Sequence, residues 1–236
     1  MISDELKVEM LAHAAECKPF ESCGLIAVVK GREKYFPCKN LQTGPSHFQI
    51  DGKDYADVED KGVILKIVHS HVYESPDPSQ ADLIECEKSE LPWVIINWPV
   101  GTVVEFEPTG YVAPLVGRVF SHGVLDCYTL IRDYYARELN IVIPDFSRPD
   151  EWWKTEKDLY RQNFEEAGFV RISEKELQPH DVILMQLGSD KTNHGAIYLG
   201  DSLILHHPMQ RLSGRDAYGG YWHKISTHFL RHRSRP

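Results

Sequence analysis

Two histidines two residues apart, His69 and His71, are followed by Ser79 and Asp82 in the stretch VHSHVYESPDPSQAD. On a strand, residues two apart share a face, so the two imidazoles project side by side. Imidazole is the commonest zinc ligand, and a carboxylate suits a third position. Three protein ligands, His69, His71 and Asp82, would leave one position open, as catalytic zinc sites do. Zinc acidifies the water it binds, to a pKa of about 7. A carboxylate such as Glu21, in PFESCGL, is then needed to carry the proton to a leaving group. Ser79 and Asp82 also have a purely structural reading, because S-x-x-D is a capping box at a helix start.

A second constellation centres on Cys127 in LDCYTL. A cysteine in the first turn of a helix feels the positive end of the dipole, which favours its thiolate. His194 opens the segment HGAIYLG, and His206 lies twelve residues later at the end of LILH. A tight turn at Gly200-Asp201-Ser202 makes these an antiparallel hairpin, and a loop of odd length puts both histidines on one face. His194 then serves as the base beside Cys127, and His206 orients its second nitrogen. His207 faces the other way. The structural alternative for Cys127 is a buried thiol, the reading that suits Cys17, Cys23, Cys38 and Cys86 better.

Glu21 with the run His69-x-His71-x7-Ser79-x-x-Asp82 resembles the signature of the JAMM/MPN+ metallopeptidases. The E-S-C-G after Pro19 resembles that family's glutamate segment. The resemblance covers about residues 1–107, which is short for that fold. It implies that His69, His71 and Asp82 bind Zn2+, that Glu21 is the general base, and that Ser79 stabilises the oxyanion. That family cleaves peptide or isopeptide bonds, often at the C-terminus of a ubiquitin-like protein.

Residues 117–210 resemble the NlpC/P60 cysteine peptidases. In that family a cysteine follows an Asp at a helix start, the base histidine opens a strand, and a third polar residue ends the next strand. This implies Cys127, His194 and His206 as catalytic residues acting on peptidoglycan stem peptides. Two positions depart from the pattern. Phe120 stands where the family usually has a tyrosine near the oxyanion, and His180 replaces a glycine in LQPHDVILM. The two domains in this order resemble the tail tip assembly proteins of lambda-like siphophages. That resemblance implies phage tail tip proteins as partners and synthesis in the host cytoplasm. Retention in the virion stays open, as does a structural or chaperone-like role for the two sites.

Bulk properties agree with such a setting. The chain has 236 residues, 42% hydrophobic and 26% charged, with a formal net charge of −9. No basic cluster suggests a nucleic-acid surface. No apolar run reaches the roughly 20 residues of a membrane span, and the N-terminus lacks the features of a signal peptide. Five cysteines at irregular spacing do not form a disulfide framework.

The elements that position these residues follow from local pattern. Ser3 starts a helix whose Leu6, Met10, Leu11 and Ala14 recur at helical spacing and which ends near Cys17. CGLIAVVK and the residues around Tyr35 and Phe36 read as strands, and HFQID as a short one. Residues 54–61 form a short polar helix, VILKIVHSH a central strand, and Ser79 to Glu90 a helix; PWVIINW and TVVEFEP are strands. The Pro- and Gly-bearing segment 107–118 separates the halves. A helix over 126–139, a second over 150–167, and strands at VILMQL, HGAIYLG and LILHHP complete the second half. The expectation is a mixed α/β and α+β chain of two domains: 1–110, JAMM/MPN-like, and 117–236, a papain-like NlpC/P60 domain.

Overall fold

Helix α1 (Asp4–Cys17) begins where Ser3 Oγ accepts the Leu6 N–H, and it buries Leu6, Met10 and Ala14 at four-residue intervals. In this computed structural model, which describes residues 2–42, 44, 47–149 and 151–235, α1 covers one face of a five-stranded sheet. The strands are β1 (Cys23–Val29), β2 (Arg32–Cys38), β3 (Val63–Val72), β4 (Trp93–Trp98) and β5 (Val103–Phe106), in the order β2-β1-β3-β4-β5. Only β3 and β4 pair in parallel. The crossover between them is α3 (Gln80–Ser89), while α2 (Gly52–Glu59) precedes β3.

Alternation along β3 decides what each face does. Val68 joins Leu6, Met10, Ile26, Val94 and Ile96 in the core under α1. Ile67 faces the opposite way, with Leu25, Val58, Trp93 and Cys86 of α3. His69 and His71 have the parity of Ile67, so they emerge on the α3 side.

The chain divides into two units, Met1–Val112 and Ala113–Pro236. The second is built on α4 (Cys127–Leu139) and a six-stranded sheet ordered β10-β9-β8-β7-β11-β6. Its strands are β6 (Phe169–Ile172), β7 (Val182–Met185), β8 (His194–Gly200), β9 (Leu203–His206), β10 (Gly214–Ala217) and β11 (Ser226–His232). Helix α4 packs Leu130, Ile131 and Tyr135 against Val182, Leu184, Ile197 and Leu205. The other face holds Ile183, Met185, Ala196 and Ile204 under Trp222 of the short helix α6 (Gly220–Lys224). Glycine at 195 lets α4 approach closely, because a Cβ there would lie 2.8 Å from Ile131 Cδ1 and displace the end of that side chain. That close approach seats α4 on β8. No helix among the described residues is long and apolar enough to cross a membrane.

Two expected elements differ. HFQID forms no strand; Ile50 makes one bridge, to Asn40. Two backbone bonds, Leu41 N–H to the Gln49 carbonyl and Asp51 N–H to the Lys39 carbonyl, flank that bridge, and beyond them the Asn40 side chain accepts the Gln42 and Gln49 N–H groups and donates to the Glu21 and His47 carbonyl oxygens. The helix expected over 150–167 starts at Asp150, outside the described residues. The remainder is a 3₁₀ turn, Trp152–Lys154, and a short helix α5 (Leu159–Asn163). The break lies at Thr155, which is extended and whose hydroxyl donates to the Trp152 carbonyl, and Asp158 then caps a new helix. At His180 the backbone has φ 73°, a left-handed conformation that glycine adopts without cost. Tyr134 Oη, 2.6 Å from His180 Nδ1, holds the ring there.

Asp126 caps α4 by accepting the Thr129 N–H at 2.9 Å, and Arg148 Nε donates to its other oxygen at 2.8 Å. Both charges are buried. Burial pushes the Asp126 carboxyl up, but Arg148 and the Thr129 N–H outweigh it, so it stays below its usual range. Its stabilising contribution is therefore complete above the unfolded carboxylate pKa of about 4 and is lost as pH falls below it. Arg148→Met leaves a buried carboxylate unpaired and should destabilise the second unit by about 3–5 kcal/mol at pH 7. Thermal melts should show that difference shrinking as the pH falls below about 4.

Candidate active sites

The first site is set by strand register. Cys23 pairs with His69 across β1 and β3, so Glu21 and His71 extend the same antiparallel ladder by two positions. Ser22 and Ser70 lock this end: the Ser22 N–H donates to Ser70 Oγ at 2.8 Å and the Ser70 N–H to the Ser22 carbonyl at 3.0 Å. Asp82 arrives from α3. Ser79 Oγ accepts the Asp82 N–H at 3.1 Å, and Asp82 Oδ2 accepts the Ser79 N–H at 2.7 Å. This capping box fixes the Asp82 rotamer, and its oxygens then lie 3.3 Å from His69 Nε2 and 3.5 Å from His71 Nε2. The two Nε2 atoms are 3.2 Å apart.

The two imidazole nitrogens thus face the carboxylate, Asp82 Oδ1 beside His69 and Oδ2 beside His71, and the three side chains offer one ligand atom each within 4.8 Å of one another. Nitrogen or oxygen ligands held 2.0–2.1 Å from a tetrahedral centre lie about 3.3 Å from one another, and each contact in this cluster is close to that spacing, so the three side chains could hold one metal ion. His71 Nδ1 donates to the Ser75 carbonyl, which turns its Nε2 lone pair inward. His69 Nδ1 is buried without a partner; its ring is held by stacking on Phe48 at 4.6 Å and by the edge of Trp93 at 5.5 Å. The local field calls for positive charge. Burial pulls the His71 imidazole down, but Asp82 and the Ser75 carbonyl raise it to about 9. Burial pushes Asp82 up, yet the two histidines hold it far below the carboxylate range. A proton on His71 or a cation among the three donors would satisfy the same field. Glu21 is buried beside them. Burial is the main cause that raises its carboxyl to about 8, with His71 opposing and Asp82 and Glu74 adding.

The second site lies in a cavity of about 530 Å³ lined by Cys127, His194, Tyr160, Phe120, His207 and Trp222, among others. The β8–β9 turn has two residues, Asp201 and Ser202, both at positive φ, as a type I′ hairpin requires. A register shift between Tyr198 and Gly200 adds one residue. It gives the parity expected from an odd loop, and His194 and His206 share a face. His194 Nε2 lies 3.1 Å from His206 Nδ1. His207, on the other face, lines the cavity with its ring 5.2 Å from that of Phe120.

Two residues here had no local sequence signal. Tyr160, distant in sequence, places Oη 3.0 Å from Cys127 Sγ. Asp216 Oδ2 lies 3.1 Å from His206 Nε2. The sulfur bonds to Tyr160 and not to His194, although both line the same cavity. The surroundings of the sulfur oppose the thiolate that the helix start favours. Burial and the Asp126 carboxylate raise the Cys127 thiol to about 11, against Tyr160, the Gly195 N–H and Arg148. Burial, with His206 and His207, lowers His194 to about 3. The resting pair is therefore a neutral thiol and a neutral imidazole.

Comparison with known proteins places both domains in families. Residues 3–108 match the family of prokaryotic homologs of the JAB domain, and residues 117–231 match the NlpC/P60 family. The chain is thus a two-domain protein of paired peptidase-family folds, a JAB-like domain followed by an NlpC/P60 domain. It is 37% identical over 227 residues to the tail tip assembly protein K of Escherichia phage N15, covering 95% of this chain and 93% of that protein. It is 41% identical over 182 residues to the protein K of Escherichia phage lambda, covering 77% and 88%. The chain belongs to this tail tip assembly protein K family. A CysO-cysteine peptidase of Mycobacterium tuberculosis is 27% identical over 105 residues, covering 41% of this chain and 72% of that protein.

The Tyr160 contact has a measurable consequence. Tyr160→Phe removes a hydrogen bond that lowers the thiol pKa. Alkylation of Cys127 by iodoacetamide at pH 8 should slow about fivefold. An unchanged rate would show that the phenol does not act on the sulfur.

Proposed function

We propose that the protein is a bifunctional peptidase used in phage tail tip assembly, with a zinc-dependent site in residues 1–110 and a cysteine peptidase site in residues 117–236. The observation that carries this reading is the His69–His71–Asp82 cluster, in which the two Nε2 atoms are 3.2 Å apart and each has an Asp82 oxygen within 3.5 Å. The relatives, a tail tip assembly protein and a CysO-cysteine peptidase, support the setting and the reaction class. Tail tip proteins are the proposed partners, and the host cytoplasm is the proposed place of assembly, with the virion tail tip as destination.

In the first domain His69, His71 and Asp82 would hold Zn2+, which supplies Lewis-acid chemistry to the bond being cleaved. Glu21 takes a proton from the attacking water and passes it to the leaving nitrogen. Ser79 Oγ already accepts the Asp82 N–H, so its own proton is left to donate to the oxyanion. In the second domain Cys127 Sγ attacks a carbonyl carbon while His194 takes the thiol proton. His194 returns that proton to the departing amine as the thioester forms, and water then hydrolyses the thioester. Because thiol and imidazole are both neutral at rest, proton transfer accompanies attack. The proposed substrates are a peptide for the zinc site and a peptidoglycan stem peptide for the cysteine site.

A second reading is a structural or chaperone-like tail component whose sites are vestigial or used only in assembly. The thiol raised to about 11 and the missing hydroxyl at Phe120 favour it for the second domain. Digestion of purified peptidoglycan separates the two readings. Wild-type protein and Glu21→Ala should release stem-peptide fragments, and Cys127→Ala and His194→Ala should release none. Equal release by all four, or no release by any, would remove the cysteine peptidase. Phage complementation with Glu21→Ala should fail to yield plaques; normal yield would remove the first site's role in assembly.

A further inference from the structure

The hydrogen-bond chain behind His194 runs further than a triad. His194 Nε2 meets His206 Nδ1 at 3.1 Å, His206 Nε2 meets Asp216 Oδ2 at 3.1 Å, and Arg211 Nη1 reaches the same oxygen at 3.3 Å. The His206–Asp216 contact comes from pairing of β9 with β10, and Arg211 reaches in from the loop between them. Gly214 lies opposite His206 and presents no side chain, while Asp216 lies opposite Ile204 and reaches across. Trp222 packs edge-on against the His206 ring with centroids 4.5 Å apart and also contacts His194 at 6.0 Å. Both rings are therefore confined as well as bonded.

The direction of this chain follows from what each atom can do. An ionised carboxylate only accepts hydrogen bonds. His206 Nε2 must then carry a proton and donate to Asp216. Burial keeps His206 below its ordinary range against the pull of Asp216, so the ring is neutral and its Nδ1 can only accept. His194 Nε2 must therefore donate to it. Burial also keeps His194 neutral, which leaves its Nδ1 bare. The base nitrogen is thus chosen by a carboxylate two residues removed in the chain of bonds.

We propose that Asp216 is a positioning residue that sets the tautomers of His206 and His194 so that the unprotonated Nδ1 of His194 is the atom available to the Cys127 thiol. This rests on the reading of His194 as the base of a cysteine peptidase. Without the carboxylate, His206 can carry its proton on either nitrogen, and one of those tautomers drives His194 to the wrong form. Asp216 is partly exposed, with 28% of its side chain accessible, so its removal leaves no buried charge behind. Arg211 is more exposed, at 57%, and serves to hold the carboxylate ionised and in place.

The test reads tautomers directly and needs no substrate. In the full chain with 15N-labelled histidine at pH 7.5, long-range 1H–15N spectra report which ring nitrogen is protonated, with His194→Gln and His206→Gln assigning the signals. Both rings should be Nε2-protonated in the wild type. In Asp216→Ala, His206 should become a mixture of tautomers, the His194 signals should follow, and iodoacetamide alkylation of Cys127 should slow at least about tenfold. Asp216→Leu, nearly isosteric and apolar, replaces it if the alanine variant does not fold. A wild-type His206 that is Nδ1-protonated or an imidazolium overturns the proposal. So do tautomers that stay unchanged when the carboxylate is removed. Loss of wall digestion in a wild type with both rings Nε2-protonated would instead defeat the peptidase reading and leave the assigned tautomers standing.

Discussion

The unsatisfied N–H groups at the start of a helix are the constraint on which both halves of this protein depend. In each domain a side-chain carboxylate answers it and, in doing so, places the chemistry. Asp82 closes the capping box with Ser79 and holds its oxygens against two buried imidazoles. Asp126 caps α4 directly before Cys127 and is itself fixed by Arg148. A cap is worth about 1 kcal/mol to a helix. Here its greater value is geometric, since a freely rotating Asp82 would not keep one oxygen 3.3 Å from His69 Nε2 and the other 3.5 Å from His71 Nε2.

The two sites solve opposite electrostatic problems. The first gathers Glu21, His69, His71 and Asp82 in a buried corner whose field favours a cation. The second has no such excess. Its thiol and imidazole are both buried, and burial drives each toward its neutral form. A preformed thiolate–imidazolium pair would need that desolvation to be offset, and Tyr160, the Gly195 N–H and Arg148, which favour the charge on the sulfur, do not outweigh it. The His194–His206–Asp216 chain supplies direction instead, fixing where a proton can go when the thiol gives one up.

Much of this was legible in the sequence because it depends on local pattern. Ser3, Ser79 and Asp126 read as helix starts, and each caps the helix that follows. His69 and His71 read as one face of a strand, and alternation along β3 puts them there. What the sequence hid depends on distant partners. Tyr160 reaches Cys127 across 33 positions, and Asp216 reaches His206 diagonally over a strand pair that only the fold creates. The 150–167 segment has helical composition, yet Trp152 and Tyr160 are drawn into the core beside α4, and a break at Thr155 allows both. HFQID alternates like a strand, but its backbone pairing stops at one bridge, where the Asn40 amide takes the Gln49 N–H and the His47 carbonyl.

The central claim is that the Asp82 cluster is a zinc site and not merely a well-capped helix beside two histidines. Elemental analysis of the purified full chain tests it most directly. The account predicts about one zinc per chain in the wild type and in Glu21→Ala, and almost none in Asp82→Ala or His69→Ala with the fold retained by circular dichroism. A folded wild type that holds no zinc and takes up none from solution, or an Asp82→Ala variant that binds it equally well, would contradict the account.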